Sequence, residues 1–122
     1  DVELPFHLAY DANGNFIGAA VETFTNKGFS GNISLMVGIL ADGTVNNISV
    51  LQHAETPGLG SKMSEPSFKD QFNNKHADSF NFNVKKDGGD VDAITAATIS
   101  SRAFCDAVNR AISTFENNKG GF

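Results

Sequence analysis

Ile33-Ser34-Leu35-Met36-Val37-Gly38-Ile39-Leu40 sets Ile33, Leu35, Val37 and Ile39 in alternation with Ser34, Met36, Gly38 and Leu40. A period of two puts successive side chains on opposite faces of a strand, so this stretch has a well-defined core face. Asp42-Gly43 then turns the chain back into a strand from Val45 to Leu51, with Ile48 and Val50 on one side. Upstream, Asn26-Lys27-Gly28 reads as a break after a strand from Phe16 through Thr25 that includes Ile17, Ala20, Val21 and Phe24. Before it, Leu8 and Tyr10 lead into Asp11-Ala12-Asn13-Gly14, where Asn-Gly supplies the positive φ angles of a tight hairpin turn. Four strands joined by short turns predict an antiparallel meander.

The second half changes period. Ser64-Glu65-Pro66 predicts a helix start, with a side-chain cap and a proline in the first turn. Phe68 and Phe72 then share one face. Phe80, Phe82 and Val84 alternate as a further strand, broken by Asp87-Gly88-Gly89-Asp90. Phe104, Ala107, Val108, Ala111, Ile112 and Phe115 keep the spacing of an amphipathic helix from about Ser101 to Glu116. The Asn117-Asn118-Lys119-Gly120-Gly121 end reads as frayed. The expected fold is α+β: an antiparallel sheet with two or more helices packed on it, one domain over residues 1–122. No repeat, internal linker or low-complexity segment interrupts it.

A chain of 122 residues supports one modest core, and 40% hydrophobic with 19% charged residues suits a globular fold. A formal net charge of −5 argues against nucleic acid, which needs clustered Lys and Arg. The adjacent pair Lys85-Lys86 reads as a solvated strand end. The single cysteine, Cys105, excludes an intrachain disulfide and reads as a structural thiol on the last helix. No run approaches the roughly 20 apolar residues that cross a bilayer, and no signal-peptide pattern is present. The chain opens with Asp1 rather than Met, which points to processing or to excision from something longer. His7 and His76 are far apart in sequence, so no zinc site is proposed. Asp87, Asp90 and Asp92 do not match a calcium loop and read as turn chemistry. The eleven phenylalanines are core material first.

Two further stretches carry chemistry. Asp92-Ala93-Ile94-Thr95-Ala96-Ala97-Thr98 leads into the last helix, and Thr98 falls three residues before Ser101. The first amides of a helix lack intrahelical partners and the macrodipole places positive charge there, so an anionic phosphate belongs at this point. His53-Ala54-Glu55-Thr56-Pro57-Gly58-Leu59-Gly60 follows the fourth strand. Pro57 stiffens that turn, and Gly58 and Gly60 leave its backbone open to close approach. Read by themselves, the first is a strand–loop–helix junction and the second a plain turn.

Together they resemble the two signatures of the FMN-binding domain family, in the family's order. These are an acceptor motif Asp-x-x-(Ser/Thr)-(Gly/Ala)-Ala-Thr and a turn Glu-Thr-Pro-Gly-(Leu/Ile/Val)-Gly. Ala96 stands where the family often has glycine; Asp92, Thr95, Ala97 and Thr98 match as they stand. The resemblance covers essentially the whole chain and is strongest to the G subunits of Rnf electron-transport complexes, relatives of the C subunits of sodium-pumping NADH:quinone oxidoreductases. It implies FMN joined through its phosphate to Thr98 by a phosphoester that a dedicated flavin transferase installs, with Asp92 serving that modification. Glu55, Thr56, Pro57, Gly58, Leu59 and Gly60 would lie against the flavin, and amides of their turn would tune its reduction potential. His53 is a candidate to border the flavin, and Arg102 to help with the phosphate. One or two phenylalanines would flank the ring.

As the resemblance implies, the domain is an electron carrier rather than a stand-alone catalyst. It would be held on the extracytoplasmic side of a cell membrane by an N-terminal helix outside this sequence, as one relay among the subunits of an ion-translocating complex. Two alternatives remain open: a module that feeds electrons within a larger flavoprotein reductase or regulator, and a cofactor-free ligand-binding or interaction domain on the same scaffold.

Overall fold

A computed structural model describes residues 4–121; Asp1, with its bearing on how the chain begins, lies outside them. The meander forms as expected. Strands β1 (Phe6–Tyr10), β2 (Phe16–Gly28), β3 (Gly31–Leu40) and β4 (Val45–Gln52) make one antiparallel sheet in the order β1-β2-β3-β4. Val37 opposes Val21 on β2 and Ile48 on β4, and Leu35 opposes Val50. Ile33, Leu35, Val37 and Ile39 are all buried, as the alternation requires. The Asn26-Lys27-Gly28 segment is not a break. β2 runs through it with a register shift between Thr25 and Gly28, because Gly28 still pairs with Gly31.

Helix α1 (Pro66–Lys69) is short and runs on into a 3-10 turn, Asp70–Phe72. Pro66 occupies its first turn, but Glu65 rather than Ser64 precedes it, and no side chain caps it. Ser64 instead ends a separate 3-10 turn, Gly60–Ser64. Helix α2 (Thr98–Asn118) is the long helix, and it lies across β2 and β3. It begins earlier and ends later than its apolar pattern suggests. The segment expected to fray continues as helix and then as a 3-10 turn, Lys119–Gly121.

The core lies between the sheet and α2. Ala103, Phe104, Ala107, Val108, Ala111 and Phe115 meet the buried face of β2 to β4. Burial of that apolar area drives the packing. Thr23 crosses the layer, its hydroxyl donating to the Ala107 carbonyl at 2.8 Å. At one flank, Phe68 and Phe72 each set their rings 5.0 Å from that of Phe104.

Phe80, Phe82 and Val84 do not form a strand. Phe82 and Val84 are buried, yet among the described residues the segment makes a single bridge, between Val84 and Val91. Its backbone is satisfied locally, with the Asn81 amide donating to Asp90 Oδ2 at 2.7 Å and the Val91 amide to the Asn83 carbonyl at 3.0 Å. Alternation reported burial here, not a ladder. Lys85 and Lys86 sit in a 3-10 turn, Lys85–Asp87, rather than at a strand end. No helix among the described residues is long and apolar enough to cross a membrane.

Candidate functional site

Three pieces of irregular backbone meet where α2 begins: the β2–β3 hairpin tip, the segment after β4, and the arm leading into Thr98. What joins them is Glu55. Its side chain is buried, and its two oxygens accept from the amides of Phe29 at 2.9 Å and Ser30 at 2.8 Å. Oε1 also accepts from the Ser100 hydroxyl at 2.6 Å. One carboxylate therefore fixes the hairpin tip and the first turn of α2 to each other. Charge-assisted bonds of this kind are short and strong.

Beside that junction lies a cleft of about 320 Å³, lined by Phe29, Thr56, Leu59, Gly60, Ala96, Ala97, Thr98, Ile99 and Ser100. No described residue of the lining carries a charge. The rim is apolar and open to solvent, with Phe29 67%, Ile99 49% and Leu59 39% exposed. Exposed apolar side chains gathered around a concavity mark ligand sites more often than bare surface.

Thr98 is the first residue of α2, half-buried, and Ala97 before it offers no side-chain cap. The first closed hydrogen bond runs from the Ser101 amide to the Ala97 carbonyl at 3.0 Å. Among the described residues the amides of Thr98, Ile99 and Ser100 have no acceptor. A start with neither cap nor acceptor, opening on a cleft of ligand size, fits an anionic group attached at that point. Starting the helix at Thr98 rather than Ser101 brings the Thr98 hydroxyl onto the helix terminus itself.

The other matched residues divide. Thr56, Leu59, Gly60, Ala96 and Ala97 line the cleft with Thr98. Ala96 has φ +61°, a left-handed conformation that disfavours a Cβ and suits glycine. Gly60 is needed for close packing: a Cβ at this position would run into the Ser100 hydroxyl and lie 2.7 Å from Glu55 Cβ. Gly58, at φ +77°, provides the turn's left-handed step, and neither it nor Pro57 lines the cleft.

Asp92 and Thr95 face a separate groove with Lys62, Ser67 and Gln71. There Asp92 pairs with Lys85 at 2.8 Å, a contact that raises the lysine's pKa above its ordinary value. Its backbone is held on both sides by the Gln71 side chain, at 2.7 and 3.0 Å. His53 is half-buried, and its Nδ1 accepts from the Glu55 amide at 3.0 Å. Arg102 makes a two-pronged pair with Asp87, both contacts 2.9 Å, and lines a neighbouring groove rather than the Thr98 cleft. Cys105 is buried away from the site, and burial, reinforced by the negative charge of Asp87, pushes its thiol up to about 12.

Sequence reasoning left Phe29 of the cleft unnamed, and it passed over Ile99 and Ser100. For Phe29 there was a signal, an aromatic residue at a turn between Gly28 and Gly31. For the other two there was none, since the first turn of α2 does not belong to its apolar repeat.

A model of the FMN-binding domain matches residues 28–113. The G subunit of the ion-translocating oxidoreductase complex of Shewanella baltica (strain OS223) is 41% identical over 124 residues, covering 98% of this chain and 58% of the relative. The G subunit of the like-named complex of Methanosarcina acetivorans is 38% identical over 117 residues, covering 94% and 60%. The chain thus spans somewhat less than two thirds of these relatives. The fold is shared with the C subunit of the Na(+)-translocating NADH-quinone reductase of Parabacteroides distasonis, at a TM-score of 0.74 and 22% identity over 95% of this chain and 62% of that one. NqrC of Shewanella oneidensis follows at a TM-score of 0.62 and 20% identity, covering 96% and 61%. Since the matched segment takes in the hairpin tip, the Glu55 turn and the Thr98 helix start alike, the chain belongs to the FMN-binding domain family.

Proposed function

We propose that this domain carries FMN esterified through its phosphate to Thr98, and that it relays electrons within a membrane-bound, ion-translocating redox complex. The observation that carries the reading is the start of α2: a hydroxyl at its first residue, amides without acceptors, and an uncharged cleft with an apolar rim. Free FMN has a nearly doubly charged phosphate, and no cationic side chain among the described lining residues would hold it. A phosphate diester keeps one negative charge, which a helix terminus neutralises. Esterification therefore suits this cleft better than reversible binding does.

A flavin transferase would install the group from an activated flavin dinucleotide. The bond from Thr98 Oγ to phosphorus forms, the phosphoanhydride bond of the donor breaks, and the hydroxyl proton leaves with the nucleotide released. Asp92 and Thr95, displaced into their own groove, are available to that enzyme while Ala96 to Thr98 face the flavin. Once bound, FMN supplies reversible redox chemistry that the side chains lack. The chain's own part is to anchor the phosphate at α2, exclude water with Phe29, Leu59 and Ile99, and present Thr56 and Gly60 of the turn to the ring. The complex and its partner proteins are inferred from the relatives, which are G subunits of ion-translocating oxidoreductase complexes. A position on the extracytoplasmic face, with an anchor in a part of the protein outside this sequence, completes the proposal.

The test is an intact mass and an absorption spectrum after acid denaturation, on protein made with and without a flavin transferase. The expected product gains FMN less one water and keeps its yellow colour, and Thr98→Ala abolishes both. A colourless, unmodified wild-type chain from transferase-containing cells would refute the proposal.

A further inference from the structure

We propose that Phe29 is the aromatic wall against which the flavin ring rests, and that Glu55 is the residue that positions it. The inference rests on the flavin reading above and adds the part of the chain that meets the ring. Phe29 and Ser30 form the tip of the β2–β3 hairpin, between paired Gly28 and Gly31. Hairpin tips are ordinarily polar and mobile. This one carries a phenylalanine that is 67% exposed and lines the same cleft as Thr98. Nothing in the hairpin itself calls for an aromatic residue there.

The tip is also tied down. Both of its amides are held by the buried Glu55 carboxylate, at 2.9 and 2.8 Å. The same carboxylate takes the Ser100 hydroxyl from the first turn of α2 at 2.6 Å. Phe29 and Thr98 are thus kept at a fixed separation through one side chain, although they come from elements far apart in sequence. An exposed ring on a fixed backbone costs solvation without stabilising the fold, and covering it with a flat aromatic ligand recovers that loss. Glu55 does not itself line the cleft. It acts through Phe29 and Ser100.

The chain contains no tryptophan, which makes a sensitive test available. Indole in contact with a flavin quenches its emission by electron transfer, so Phe29→Trp in the flavin-loaded protein is expected to be severalfold dimmer than wild type. Ile17→Trp serves as control; this residue is also exposed and lies at the far end of β2, roughly 35–40 Å away along the strand. It is expected to match wild type. Glu55→Gln leaves one hairpin amide facing an amide donor. Added to Phe29→Trp, it is expected to restore part of the emission and lower the flavin's fluorescence anisotropy at a temperature where the chain is still folded. A role in stability alone would move neither. Equal emission from Phe29→Trp and Ile17→Trp in loaded protein overturns the assignment of Phe29. No recovery with Glu55→Gln overturns that of Glu55. A wild-type chain that takes up no flavin from the transferase removes the underlying reading, and this inference with it.

Discussion

The sheet and α2 on one side, and the irregular segment from His53 to Ala97 on the other, are built on opposite terms. In the first, ladder and helix hydrogen bonds carry the backbone and most side chains between the layers are apolar: Val21, Leu35, Val37, Phe104 and Phe115 are almost fully buried. In the second, short 3-10 turns and side-chain bonds replace ladders, and residues are placed one at a time. Glu55 holds a hairpin, Gly60 makes room for Ser100, and Ala96 turns left-handed to deliver Thr98. The body, with the core residues Phe68, Phe72 and Phe82 that the segment adds to it, stores stability, while the cleft residues of the segment store geometry. Substitutions in the two should therefore separate into losses of folding and losses of chemistry.

The largest effect belongs to the body. Phe104→Ala removes a ring packed against Phe68 and Phe72 and should cost about 3–5 kcal/mol in a denaturant titration. Whatever remains folded should still accept flavin at Thr98. If loading failed while the fold held, the separation of the two regions would be broken.

Cys105 gives the body a signature in pH. Its folded thiol is held up to about 12, against an ordinary value of 9.0. Between those values the unfolded chain loses a proton that the folded chain keeps, so stability is fully present below about pH 9 and declines above it. The slope approaches about 1.4 kcal/mol per pH unit at most. Melting curves across that window should show the decline, and Cys105→Ala should flatten it. Thiol reagents should modify Cys105 only at the rate of unfolding.

Gly60→Ala sharpens the comparison from the other side. Its Cβ strikes Ser100 and Glu55, and overpacking of this kind costs about 1–3 kcal/mol. Because those two residues set the start of α2, flavin loading should fall severalfold under conditions where circular dichroism shows the chain still folded. Unchanged loading would mean that the turn is structural only.

The smallest effect is at Ala96. Glycine relieves a left-handed strain of about 1–2 kcal/mol and gives up about 0.4–1 kcal/mol through the freer unfolded chain. Ala96→Gly should be nearly neutral in thermal melts, with a slight gain, and loading should be unaffected. A clear loss of stability would contradict the φ of +61°.

The same division governs how much could be read in advance. Period-two alternation and the Asn-Gly and Asp-Gly turns predict β1 to β4 because core burial and turn backbone leave direct marks on residue type. The helix pattern marks α2 for the same reason, but only where α2 meets the core. Thr98 to Ser100 fall outside it, since that turn faces the cleft. At Phe80, Phe82 and Val84 the mark of burial misleads, because Asp90 and Val91 satisfy the backbone that a neighbouring strand would otherwise pair. The cleft itself was legible in part, through two motifs whose residues prove to be divided between wall and framework. Phe29 could not be assigned from residue type alone: an aromatic at a hairpin tip acquires meaning only when Glu55, distant in sequence, is seen to hold it.

The most direct measurement is fragment-ion mapping of the flavin on proteolysed protein from transferase-containing cells. Thr56 and Thr95 offer competing hydroxyls on the neighbouring turn and in the next groove. The flavin phosphate should sit on Thr98 alone, and no other residue should take it up in Thr98→Ala. Flavin on Thr56 or Thr95, or a folded chain without any, would contradict the account.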